Sequence, residues 1–212
     1  MALPSKSEQP KTRRPFPLIF GAAGKRHDIL DSAFLEFLES TYFGTDTNKI
    51  ARRAGTALAT LYHHFDDKLD IFLAVYDAWS QYELTRFKEL TVGLGKNNTP
   101  AEIASAMTKW LIKSRRNARN FRASLSVLLR TESRIVEAYA LRQAEVVEYI
   151  QNLLLSKGRN RSPTEIEADI AVVNAMVIAL TEGAGVSTEA SALIEAQISK
   201  RITSILELTP SA

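Results

Sequence analysis

The sequence predicts an all-α chain of about nine helices: an N-terminal three-helix helix-turn-helix domain followed by a C-terminal helical bundle. Three observations lead there. Apolar residues recur every three to four positions along most of the 212 residues, the period of an amphipathic helix. Strong helix starts punctuate the pattern, a hydroxyl cap followed by proline and then glutamate, at Thr99-Pro100-Ala101-Glu102 and Ser162-Pro163-Thr164-Glu165. Finally, two short helical runs flank Gly55, and no segment reads convincingly as a strand.

Residues 1–23, with Pro4, Pro10, Pro15, Pro17 and Gly21, read as an irregular, flexible basic arm. Lys6, Lys11, Arg13, Arg14, Lys25 and Arg26 face a single acid, Glu8, before His27. The first helix is expected from about Lys25 to Ser40, its inner face formed by Ile29, Leu30, Ala33, Phe34, Phe37 and Leu38. Thr47 to Ala54 makes a small second helix with Ile50, Ala51 and Ala54 on one face. Gly55 is suited to the left-handed conformation that ends it. A third helix starts at Thr56 or Ala57, pointing Leu58, Leu61 and Phe65 inward and leaving Thr60, Tyr62, His63 and His64 outward.

A fourth, long helix follows from Lys68 to about Leu90, capped by Asp67 with Asp70 at its third position. Leu69, Phe72, Val75, Tyr76 and Trp79 form its stripe. Gly93, Gly95 and Lys96-Asn97-Asn98 read as a loop. Further helices are expected from Thr99 to about Arg116, Ala118 to Arg130, Ser133 to Lys157, Ser162 to Glu182 and Thr188 to Leu208. The segment Ile170 to Leu180 is apolar nearly all the way round and must be covered on more than one side. It and the last helix are therefore expected to pack against their copies in a homodimer.

Two helices joined by a glycine turn form the helix-turn-helix plan, whose second helix enters the major groove of double-stranded DNA. The run Ile50-Ala51-x-x-Ala54-Gly55, then Thr60-Leu61-Tyr62-His63-His64-Phe65 and Lys68, resembles the DNA-binding domain of TetR-type transcriptional regulators. Arg26, Ile29-Leu30, Ala33, Phe37, Tyr42 and Thr45 fall where that family has its first helix and the approach to its second. The likeness covers roughly residues 25 to 76. Two departures stand out. Thr41 occupies a place where the family usually has glycine, and Thr56-Ala57-Leu58-Ala59 replaces a Val-Ser-x-Gly opening, removing a serine N-cap.

The resemblance implies residues 24–68 as a DNA-binding domain and residues 69–212 as a helical ligand-binding and dimerisation domain. It also implies a cytoplasmic regulator, most often a repressor released from a palindromic operator by a small-molecule effector. Two reading heads about 34 Å apart, one DNA turn, would bind such a palindrome. A ligand-independent architectural or activating DNA binder, and a helical small-molecule carrier, are the competing readings.

Bulk properties narrow the field. The net charge of +3 gives no general polyanion-binding character. Without cysteine there is neither a disulfide framework nor a thiolate metal site. No signal peptide is read at the start, and the longest apolar run is too short for a membrane span. Gly24-Lys25 lacks the rest of a phosphate loop. His63 and His64 are adjacent on a helix and point about 100° apart, so they do not clamp one ion. No catalytic constellation, metal site or cofactor is expected.

Phosphate contacts are assigned to Thr45, Thr47, Asn48, Tyr62, His64 and Lys68, with Arg26 beside the basic arm; base-edge contacts go to Leu58, Thr60 and His63. Lys68 stands at a helix start, where a cation opposes the helix dipole and a nearby phosphate would justify it. In the body, Trp79, Tyr82, Met107, Trp110, Phe121, Tyr139 and Asn174 are the expected ligand contacts, with Gln143 as a second polar anchor. The run Lys113, Arg115, Arg116, Arg119, Arg122 reads first as a solvated face, and more sharply as a site for an acidic effector carried by Arg116 and Arg119.

Overall fold

The computed structural model describes residues 24–92, 98–183 and 185–207. The basic arm, the loop at 93–97 and the expected end of the last helix at Leu208 lie outside them. Among the described residues there are nine helices and no strand: α1 Lys25–Gly44, α2 Thr47–Arg53, α3 Leu58–His64, α4 Lys68–Thr91, α5 Pro100–Asn117, α6 Arg119–Thr131, α7 Ser133–Leu155, α8 Pro163–Glu182 and α9 Thr188–Leu206. The start signals act as expected. Thr99 and Ser162 both form full capping boxes with Glu102 and Glu165, and Asp67 accepts from the Asp70 amide. Asp46, which the sequence reading did not single out, caps α2 through the Lys49 amide at 2.9 Å.

Helix α1 differs from expectation at its end. The chain breaks helical geometry at Thr41 (φ 66°, ψ 167°) and then makes a final short turn to Gly44. A β-branched residue at positive φ is strained, because its Cβ crowds the backbone there. This is the position where glycine was noted as usual. The carbonyls freed by the break find partners elsewhere. Asn120 of α6 donates to the Leu38 and Glu39 carbonyls at 2.9 and 3.1 Å, and the Ser124 hydroxyl accepts from the Tyr42 amide at 2.8 Å. Helix α6 therefore completes the end of α1.

Helix α3 also starts later than expected. Its N-cap is Ala57, which has no side-chain capping bond, so Thr56 does not replace the missing serine. Gly55 at φ 60° carries the turn, where any side chain would be strained.

One hydrophobic core joins the first three helices to α4, α6 and α7. Phe72 stacks on Phe121 at 4.9 Å between ring centres, and Phe34 meets Phe121 edge-on at 5.5 Å. Ile29, Phe37, Ile50, Leu61 and Ile135 fill in around them. The base of α4 is thus packed into the three-helix N-terminal head and into the body at once. A second core of Ile103, Ala104, Met107, Val173, Val177, Ile198, Ile202 and Leu206 binds α5, α8 and α9. Among the described residues no helix is long and apolar enough to cross a membrane.

Candidate nucleic-acid interface and ligand cavity

Burial of Leu61 and Phe65 fixes the rotation of α3, and with it what the opposite face presents. Tyr62 (48% exposed) and His63 project outward, while Thr60 and His64 are half-buried. Leu58 was expected inward as well as at a base edge; at 36% exposed it belongs to the outer face. The Tyr62 hydroxyl lies 3.0 Å from the Thr47 hydroxyl at the start of α2, so the two helices offer a joined pair of hydroxyls. Asn48 beside them is exposed. Arg26 lies over the Phe65 ring at 4.9 Å, at the edge of the same domain.

Two expected phosphate ligands are engaged inside the protein. Thr45 is buried, and its hydroxyl donates to the Glu36 carbonyl at 3.4 Å. Lys68 donates to the carbonyls of Tyr42 and Thr45, each at 2.9 Å, and sits 4.1 Å from the centre of the Tyr42 ring. Its cation answers the carbonyls left open where α1 ends, which accounts for a lysine at the start of α4 without any phosphate. Desolvation holds its pKa below the ordinary lysine value, opposed by Asp46.

In the body, α4 to α9 line a half-open cavity of about 360 Å³. Trp79, Met107, Trp110, Tyr139 and Asn174 line it, with Gln143 as the second amide. Phe121 and Tyr82 do not. Phe121 is fully buried among aromatic rings because its α6 position faces α1 and α4, and Tyr82 packs against the head-side core. Of the basic run, Arg115 and Arg122 reach the cavity wall. Arg116 is exposed, and Arg119 donates to the Thr181 carbonyl at 2.9 Å.

The charged part of the wall escaped sequence reasoning. Glu83, Arg142 and Glu145 join Arg115 and Arg122 there. Glu83 was readable in principle, since it falls one turn after Trp79 on the same stripe. It accepts from the Ser114 hydroxyl through both oxygens, at 2.9 and 2.8 Å, and faces Arg122 at 3.6 Å. Burial pushes Glu83 above the usual carboxylate range, with Arg122 and Ser114 pulling it back. Burial likewise lowers Arg122, with Glu83 as the main opposing influence. Arg142 is paired with Asp77 and Glu145. No group of three metal-binding side chains occurs among the described residues.

Comparison with known proteins agrees with this geometry. Residues 29–75 match the family described as bacterial regulatory proteins, tetR family. The N-terminal domain is of the TetR type. The TetR-like fold extends over the whole described chain. A protein from Mesorhizobium loti, described as a TetR-family transcriptional regulator, superposes with a TM-score of 0.70 at 17% identity, covering 86% of this chain and 95% of that one. A transcriptional regulator from Rhodococcus sp. Rha1 gives 0.66 at 20% identity, over 86% and 96%. A third, from Saccharomonospora viridis in complex with choline, gives 0.61 at 17% identity, over 84% and 94%. Identities this low carry the fold alone. A search of curated proteins returned no match.

Proposed function

We propose that the chain is a sequence-specific DNA-binding transcriptional regulator, a repressor released from a palindromic operator by a small molecule. The observation that carries this reading is the outer face of α3. Leu58, Tyr62 and His63 stand exposed on a short helix whose inner side is locked by Leu61 and Phe65. The Tyr62–Thr47 hydroxyl pair extends that face onto α2. Helix α3 enters the major groove, where Leu58 meets a thymine methyl and Thr60 and His63 read base edges. Phosphates are held by Thr47, Asn48, Tyr62 and His64, with Arg26 at the margin. Residues 24–68 act as the reading head and residues 69–212 as the ligand-binding and dimerisation body.

A homodimer is supported by exposed apolar side chains on the last two helices, Val172 (42%) and Leu193 (67%). Pairing two copies would cover them. The cavity, and a choline complex of one protein with the same fold, support a small-molecule effector. Release would follow if the occupied body favours a different tilt of α4, which is embedded in the head core through Phe72.

The test is binding of the full chain to a palindrome from the gene's own upstream region, titrated against salt. Log affinity should fall against log salt with a slope of about −0.9 per phosphate contact. Arg26→Ala should make the slope shallower by about one contact, whereas Leu58→Ala should change sequence preference and leave the slope alone. Equal affinity for scrambled and palindromic DNA would overturn the reading.

A further inference from the structure

The cavity holds a cation whose hydrogen-bonding capacity is almost entirely unspent. Five charged side chains line the wall, and four of them are hydrogen-bonded within the protein. Arg115 is bonded to Glu182 at 2.9 Å, Arg142 and Glu145 to each other at 2.7 Å, and Glu83 to Ser114. Arg122 is the exception. Among the described residues its guanidinium makes an ion-pair approach of 3.6 Å to Glu83 and lies 4.6 Å from the centre of the Trp79 ring. Neither contact is a hydrogen bond. Its Nε and the indole Nε1 of Trp79 are both buried without a partner.

A guanidinium is a planar fork of five donors that matches a carboxylate in bidentate fashion. Leaving such donors unmet in a low-dielectric site is costly, and buried polar groups are normally paired. Much of the remaining wall is apolar: Tyr76, Phe87, Leu111, Leu125, Val173 and Ile202 among others. We propose that the occupant is an apolar, aromatic or aliphatic carboxylic acid whose carboxylate docks on the exposed part of the Arg122 guanidinium, with its hydrocarbon part along the rest of the cavity. This rests on the effector-cavity reading and names the chemistry of that effector.

The sign of the charge follows from which partner is already satisfied. A cationic ligand would have to use Glu83 or Glu145, but both oxygens of Glu83 accept from Ser114 beside Arg122, and both oxygens of Glu145 accept from Arg142. An entering carboxylate instead competes with Glu83 for a guanidinium that Glu83 does not hydrogen-bond. The arginines that the sequence put forward for this role, Arg116 and Arg119, lie outside the cavity wall.

The chain contains only two tryptophans, Trp79 and Trp110, and both line the cavity, so tryptophan emission from the full-length protein reports on it directly. The probes are a series of phenylalkanoates, from phenylacetate to phenylhexanoate, with the matching primary amides and phenylalkyl trimethylammonium ions. Saturable changes in emission are expected with the carboxylates, at least about tenfold weaker binding with the amides, and none with the ammonium ions. Arg122→Gln should bring carboxylate and amide to equal affinity. Glu83→Gln, which removes the competing acid, should raise the carboxylate-to-amide ratio; this second variant protects the test against a misfolded first one. Amides binding as well as acids, tighter binding of the ammonium series, or no response to any carboxylate would each overturn the proposal. The assay contains no DNA, so its outcome is independent of whether α3 reads an operator.

Discussion

The head and the body treat their buried polar groups in opposite ways. In the head, the break at Thr41 and the end of α1 open several carbonyls, and four of them find side-chain donors: Asn120 for Leu38 and Glu39, Lys68 for Tyr42 and Thr45. In the body, the Asp169 carboxylate is held between Arg161 and Arg201, each at 2.5 Å, so polar pairing is available there too. Yet the two buried polar atoms without a partner among the described residues, Trp79 Nε1 and Arg122 Nε, belong to side chains of the cavity wall. The difference teaches where the molecule is finished. The shape of the head at the end of α1 is held by internal hydrogen bonds. The cavity wall keeps a guanidinium without a hydrogen bond, which the proposed carboxylate would meet.

The most severe test of that contrast is Phe121→Ala. Phe121 was expected to touch ligand, but it is the ring on which the head core and α4 close, with Phe34, Phe72 and Trp79 around it. Removing a fully buried phenyl ring should cost about 3–5 kcal/mol of stability. Urea unfolding should show a lower midpoint at an unchanged slope. A variant as stable as the parent that had lost only cavity binding would return Phe121 to the ligand site and erase the boundary between the two regions.

The head was legible in the sequence because its signals are local. The spacing of Ile50, Ala51 and Ala54, the glycine at 55 and the cap Asp67 each act within a few residues, as do the caps Thr99 and Ser162 in the body, and the structure places them accordingly. What could not be read were partnerships across long stretches of chain. Lys68 looked like a phosphate ligand because its partners, Tyr42 and Thr45, belong to another helix end. Thr45 looked like a surface donor for the same reason. The cavity was half legible: Trp79, Met107, Trp110, Tyr139 and Asn174 lie on inner stripes, and helical periodicity finds stripes. It does not tell a side chain that meets another helix, such as Phe121, from one that meets empty space. Nor does it separate Arg122 from Arg119, three residues apart on one helix and differing in what each helix neighbour leaves open.

A smaller effect probes whether the head stores backbone strain. Thr41 sits at φ 66°, ψ 167°, a region open to glycine and costing other residues about 1–3 kcal/mol. Thr41→Gly relieves that strain, offset by about 0.5–1 kcal/mol from the greater freedom of glycine in the unfolded chain. The hydroxyl of Thr41 accepts from the Gly44 amide at 3.3 Å in an exposed setting, where water can replace it. A net gain of about 1 kcal/mol is expected in thermal or urea unfolding. A destabilised glycine variant would mean that the threonine hydroxyl, rather than α6, holds the end of α1 in place.

The smallest expected effect concerns the start of α3. Ala57 occupies the N-cap with extended backbone (φ −72°, ψ 148°), the conformation in which a serine side chain turns back onto the free amides of the first turn. Those amides have no side-chain acceptor in this protein. Ala57→Ser should therefore add about 0.5 kcal/mol, the lower end of the capping range because the site is exposed and water already serves the amides. The helix start should stay where it is, since Leu61 and Phe65 are buried and hold the register. Base preference should accordingly be unchanged, and so should carboxylate binding in the cavity, which α3 does not line. If Ala57→Ser instead shifted sequence preference on DNA, the packing of Leu61 and Phe65 would not be what orients the reading face. The head would then share the incompleteness assigned above to the body.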